Sequence, residues 1–173
     1  PTAATRRRSR SGSACPRSAG TGNRSVSSKR SFWGWGREGE GPDDAQQEAI
    51  RQNMAQRLEA PDLELRPEPR LADIELRAPR LKAPPALAEI CKTDRFERAL
   101  HTYGRSYRDV VRGARGDFSN PPDVVAHPRN ESDVAAVLDW CGEKGAACIP
   151  FGGGSSVVGG VEAPSDERYS GTV

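Results

Sequence analysis

The sequence predicts an α/β chain, in the looser α+β sense, that holds an incomplete domain. Three observations lead there. Residues 1–30 contain eight Lys and Arg and no acid, the pattern of a disordered tail. Helical periodicity then appears between proline-rich stretches. Near the end, an apolar run, a capped amphipathic helix and a second apolar run follow one another as a β-α-β unit. The boundaries read as a tail over 1–30, a helix with proline-rich connector over 31–85, a helical lead-in over 86–118 and the domain start over 119–173.

The tail stands apart by charge. It carries +8 while the rest of the chain carries −6, so the formal +2 hides a basic segment joined to a mildly acidic body. Apolar residues make up 35% of the 173 residues, below the usual ~45–50%, and they gather in the second half. A Ser/Gly-rich basic segment buries too little to offset its ordering entropy. Its functional readings are a nucleic-acid or membrane-surface arm, or a transit peptide. The plainer reading is that it precedes the true start of the protein, since the chain opens on Pro1 and its one methionine is Met54. No run approaches the ~18 apolar residues of a spanning helix. Four scattered cysteines without an export signal point to a reducing compartment, hence a cytoplasmic location.

"SFWGWGREGEGPDD" follows the tail, and its Trp33 and Trp35 read as anchors of the chain end rather than stacking platforms. "DDAQQEAIRQNMAQRLEA" predicts a helix with Asp43 and Asp44 at its positive end, an Ile50, Met54 and Leu58 stripe, and a stop at Pro61. So narrow a stripe is expected to dock on something larger. Over 61–85, "LELRPEPRL" nearly repeats as "IELRAPRL", too short a period for a solenoid, so an extended connector lying over a surface is expected. In the lead-in, Thr93 is the candidate cap, Phe96, Leu100 and Tyr103 share a face, and Gly104 breaks the helix. His101 reads as a packing residue rather than a ligand.

The last third is the most legible. "PPDVVAHP" predicts a strand from Asp123 to His127, with His127 as a hydrogen-bonded strand end. In "NESDVAAVLDWCGEKG", Asn130 is the N-cap, Asp133 a weaker capping-box partner, and Val134, Val137, Leu138 and Cys141 form the core face. Gly145 closes the helix. "AACIPF" is the second strand, expected parallel to the first by the crossover rule. Cys141 and Cys148 read as core packing rather than a redox pair.

"CIPFGGGSSVVGG" then leaves the C-terminal end of that strand, where α/β sheets bind ligands. Five glycines let backbone N–H groups converge, and Ser155 and Ser156 add hydroxyls, so an anion such as a phosphate is the natural guest. A Walker loop is excluded because Gly160 stands where its lysine must be. The dinucleotide fingerprint is excluded because Val157 takes the place of its third glycine. From the glycines alone, a tight turn serving only close packing stays equally open.

A resemblance adds to this. "PDVVAHPRNESDVAAVLDWCGEKGAACIPFGGGSSVVGG" is similar to the opening of the FAD-binding domain of the vanillyl-alcohol oxidase and p-cresol methylhydroxylase flavoproteins, with their Pro-Asp-x-Val strand and P-x-G-G-G-[TS]-S loop. "FWGWG", "RFERALHTYGRSYRDVVRGARGDF" and "SSVVGGV" resemble the alkyldihydroxyacetonephosphate synthase branch of that superfamily. The likeness runs from about Ser31 to Val161.

The resemblance implies a p-cresol methylhydroxylase-type FAD-binding domain whose pyrophosphate cradle maps to Pro150, Phe151, Gly152, Gly153, Gly154, Ser155 and Ser156. Some relatives carry a flavin-linked histidine in this loop; Ser155 holds that place here, implying non-covalent FAD. It implies ether-lipid synthesis on a small-molecule lipid substrate, exchanging an acyl for an alkyl chain through a flavin adduct, and a peroxisomal setting if the source is eukaryotic. Peripheral membrane association and a homodimer are compatible with it, and no nucleic-acid partner is expected. An FAD-linked oxidoreductase of 2-hydroxy acids such as lactate or glycolate is the alternative, and a non-catalytic scaffold the second. The chain stops shortly after Gly160, so it reads as an N-terminal fragment without identifiable catalytic residues. Alone it is expected not to retain FAD.

Overall fold

The computed structural model describes residues 29–165 and 167–173, so the expected disorder of the tail lies almost wholly outside the described residues. Its last two residues do not: Lys29 and Arg30 are placed, and Lys29 sits over the Phe96 ring, 4.3 Å from its centroid.

Helix α1 (Asp44–Arg57) forms for local reasons. Asp43 accepts from the Gln46 amide at 2.9 Å, and the Gln46 side chain accepts from the Asp43 amide at 2.9 Å, a full capping box. Leu58 caps the far end, and Glu59, at φ 51°, turns the chain before Pro61. The Ile50, Met54 and Leu58 stripe is not docked as expected: all three side chains are exposed and α1 buries no residue.

Two hydrophobic clusters organise the remainder. Phe32, Ile74, Ala99, Leu100, Tyr103 and Phe118 form the first. Leu87, Ile90, Val124, Val137, Trp140 and Cys141 form the second. The connector stitches them together, placing Leu71, Ile74 and Leu76 on the first and Leu81 and Ala83 on the second. Phe32 is buried and Trp33 packs beside it, so the tryptophan motif does anchor, although Trp35 is exposed.

Between the clusters lies Asp123, fully buried. Its carboxylate accepts from the guanidinium groups of Arg77 and Arg80, from the Arg80 amide at 2.7 Å and from the Thr172 amide at 2.8 Å. Burial pushes the Asp123 carboxyl up, but these donors outweigh it and hold it far below the usual carboxylate range. Arg98, also buried, donates to the carbonyls of Pro122 (2.8 Å) and Arg77 (2.7 Å).

The lead-in contains β1 (Cys91–Lys92), α2 (Arg95–Leu100) and α3 (Tyr107–Ala114). Asp94, not Thr93, caps α2, accepting from the Glu97 amide at 3.1 Å. Strand β2 (Val125–Ala126) lies within the expected Asp123–His127 run but pairs antiparallel with β1, which sequence reading missed. Two residues are too few for a visible apolar alternation.

Helix α4 (Glu131–Lys144) starts at Asn130 and ends on Gly145 in the left-handed conformation, φ 62°, as expected. Asp133 does not close a capping box onto Asn130; its carboxylate accepts from the Arg129 amide at 3.0 Å. Its core face is shifted: Val137, Trp140 and Cys141 are buried, whereas Val134 and Leu138 are exposed. The expected second strand is reduced to a parallel bridge, Ala147 with Thr172. It does not lie against β2. The chain end comes between, with the Thr172 carbonyl accepting from the Asp123 and Val124 amides at 2.9 and 3.2 Å, and the Gly171 carbonyl accepting from the Ala147 amide at 2.9 Å. A β-strand has two edges, and here Gly171 to Val173 occupies the edge predicted for Asp123–His127.

Candidate functional site

All seven residues expected to form the cradle lie on one irregular segment leaving that bridge. Pro150 is exposed, and the half-buried Phe151 ring packs on His101 with centroids 4.4 Å apart. Gly152 and Gly153 are exposed, and a Cβ added to either would meet nothing within 4 Å. Gly154 is buried at φ 66°, and a Cβ there would lie 2.7 Å from the Phe151 ring, so only glycine fits. Ser155 is exposed and Ser156 half-buried.

The loop is held by elements far away in sequence. Arg30 donates from Nη2 to the Gly153 carbonyl at 2.6 Å. The Arg105 amide donates to the Ser156 carbonyl at 2.6 Å, and a Cβ on Gly104 would collide with that same oxygen. Gly104 therefore breaks the lead-in helix for a second reason: it lets the loop lie against the backbone. Arg105, almost fully buried, spends its guanidinium on the carbonyls of Tyr103, Gly104 and Ser31. Burial, then Arg30, lower its pKa.

With those carbonyls engaged, the amides are left over. Among the described residues, no amide from Gly152 to Val158 donates to a backbone carbonyl. A run of N–H groups without a backbone acceptor among the described residues, in a glycine-rich bend unshielded at Gly152 and Gly153, can bind an anion.

His101 closes one side. Its Nδ1 lies 2.8 Å from the Glu97 carbonyl oxygen, which places the proton of the neutral ring on Nδ1. Burial lowers its pKa, with His127 and Arg30 adding to that and Glu97 opposing it. His127 is the hydrogen-bonded strand end expected: its amide donates to Ile90 at 2.8 Å, and its Nε2 lies 3.1 Å from a Glu97 carboxylate oxygen. No group of His, Cys, Asp and Glu suited to a metal occurs among the described residues.

A cavity of about 520 Å³ opens beside the loop, between β2, α4 and the chain end. Val134, Val137, Leu138, Ile149, Phe151 and Val161 give it an apolar lining, which explains why half of the α4 stripe is left uncovered. Cys148 also lines it and is exposed, correcting its expected place in the core. Cys141 is buried, and burial together with Cys148 pushes its thiol up to about 12.

Sequence reading found the loop but missed its supports. Arg30 was hidden by the tail's composition and Arg105 by the helix break; for Arg77 and Arg80, which hold Asp123 rather than the loop, the basic, proline-flanked near-repeat was the available signal.

A family model described as an FAD binding domain matches residues 122–169, spanning β2, α4 and the glycine loop. FAD is thus the cofactor of the matched domain. The chain is similar to alkyldihydroxyacetonephosphate synthase. The Dictyostelium discoideum enzyme of that name is 34% identical over 84 residues, covering 49% of this chain and 14% of that protein. A solved alkyldihydroxyacetonephosphate synthase structure superposes with a TM-score of 0.54 at 30% identity, over 62% of this chain and 21% of the other. The mitochondrial D-lactate dehydrogenase (cytochrome) of Arabidopsis thaliana is 42% identical over a shorter 45 residues, 26% of this chain and 8% of that protein. The chain thus spans only a small part of the proteins it matches. No described helix is long and apolar enough to cross a membrane.

Proposed function

We propose that Pro150, Phe151, Gly152, Gly153, Gly154, Ser155 and Ser156 hold the pyrophosphate of FAD. We further propose that the protein carrying this chain is an alkyldihydroxyacetonephosphate synthase-like enzyme of ether-lipid synthesis. The observation that carries the reading is the run of loop amides without backbone acceptors among the described residues, on a loop braced by Arg30, His101 and Arg105. A pyrophosphate needs several converging donors and close backbone approach, and the open space at Gly152 and Gly153 supports that fit. The Ser155 hydroxyl adds a donor at the exposed rim. From Ile149 to Val161 the loop has no imidazole or thiol, which supports non-covalent attachment here.

Bound FAD would supply the isoalloxazine ring on which an acyl chain of acyl-dihydroxyacetone phosphate is exchanged for a fatty alcohol. The residues of this chain bind and orient: the amides fix the phosphates, Phe151 and His101 set the loop's depth, and the apolar cavity excludes water beside it. The test is to incubate the complete gene product with acyl-dihydroxyacetone phosphate and a labelled long-chain alcohol. Label in an alkyl ether, with free fatty acid released, is expected; a flavoprotein that makes no ether rejects the synthase reading. The likeness to D-lactate dehydrogenase favours a second reading, oxidation of a 2-hydroxy acid. Anaerobic bleaching of the flavin by D-lactate would support it.

A further inference from the structure

We infer that Arg30 is an anion-binding residue of the glycine loop, supplying the positive charge that the loop lacks. The inference rests on the reading of the loop as a pyrophosphate site. From Cys148 to Val161 there is no lysine or arginine, and Gly160 stands where a Walker loop carries its lysine. Backbone amides offer partial charges only, whereas a pyrophosphate brings full negative charge.

Arg30 comes to the loop from 123 residues upstream. Its Nη2 bonds the Gly153 carbonyl at 2.6 Å and would lie 3.2 Å from a Cβ on Gly154, so the guanidinium rests against the bend beside the open amides. This contact uses one donor of a group that has five, in a fork suited to phosphate oxygens. Arg105, whose backbone amide also bonds the loop, cannot serve: it is almost fully buried and its guanidinium donates to three carbonyls outside the loop. Arg30 is half-buried, held in place yet open on one side.

A brace of the Gly153 carbonyl and a charge for the ligand are separable roles. Arg30→Gln keeps a donor for the carbonyl and removes the charge; Arg30→Lys keeps the charge. The experiment is FAD titration of the refolded apo form of the complete gene product, followed by flavin fluorescence across a salt series. Circular dichroism verifies the fold of each variant. Arg30→Gln is expected to weaken binding about tenfold and flatten the salt dependence, because a charge-assisted contact is lost. Arg30→Lys is expected to stay within about threefold of wild type. Equal affinity and equal salt dependence of wild type and Arg30→Gln would overturn the inference, as would Arg30→Lys binding as weakly as Arg30→Gln. A wild-type protein that takes up no FAD overturns the loop reading itself, and is told apart because it fails before any variant is compared.

Discussion

At the scale of single residues, the site separates glycines that shape the loop from glycines that open it. Gly104 meets the Ser156 carbonyl, so Gly104→Ala must push the loop away and break the Arg105 amide bond. Overpacking of this kind costs about 1–3 kcal/mol, so the midpoint of urea unfolding should fall measurably. Gly152→Ala meets nothing, and its effect on unfolding should stay within about 0.5 kcal/mol. If the loop holds the pyrophosphate as proposed, Gly152→Ala should nevertheless weaken FAD binding by the complete gene product, because the methyl would project into the open space offered to that group. His101 gives a pH signature. Burial lowers its pKa below the unfolded value near 6.5, so the unfolded chain takes up more protons as pH falls past that value. Stability from this group is therefore present above pH ~6.5 and lost as pH falls below it. His101→Phe keeps the ring on Phe151 but cannot titrate, so the difference in unfolding free energy between pH 7 and 5 should shrink.

At the scale of elements, helices were legible and strand pairings were not. Helix signals are local: Asp43, Asn130 and Gly145 act within their own turns, and each was readable. The strands depend on partners that sequence does not name. The Cys91–Lys92 pairing and the insertion of Gly171 to Val173 beside Asp123 are set by tertiary contacts between distant segments. The loop was legible because five glycines are a local extravagance, but its supports, Arg30 and Gly104–Arg105, lie in segments read as tail and helix break. Helix α1 shows where a correct helix assignment carried a wrong inference. Its stripe implied burial, yet the capping box and an Arg51–Glu48 ion pair at 2.6 Å sustain it without any. The double variant Ile50→Lys, Met54→Lys should accordingly leave the thermal midpoint of this chain within about 2 °C, since exposed substitutions move stability by at most ~0.5 kcal/mol. A larger drop in scanning calorimetry would mean that the stripe does pack.

At the scale of the whole molecule, the two hydrophobic clusters are joined through a carboxylate. Asp123 receives Arg77 and Arg80 from the connector and the Thr172 amide from the chain end, so one fully buried group ties three segments that share no regular sheet. Apolar packing alone would hold each cluster without fixing one against the other; the directional bonds of Asp123 set their register. Because its pKa is held far below the unfolded value near 3.9, its contribution is complete at neutral pH and is lost as pH falls below about 4. Asp123→Asn removes the charge but keeps the shape, leaving two partly exposed arginines to return to water. It should cost about 3 kcal/mol, at the lower end of breaking a buried ion pair by one partner. The same variant should flatten the acid limb of the unfolding curve between pH 4 and 2, where wild type declines. The measurement is urea unfolding at fixed pH steps in a Trp33→Phe, Trp35→Phe background, so that Trp140 fluorescence reports the second cluster alone and backbone circular dichroism the whole. If Asp123 is the tie, wild type loses both signals together, whereas Asp123→Asn separates them, the tryptophan transition no longer coinciding with the loss of helix. Coincident transitions in the variant would mean that packing through the connector already couples the clusters.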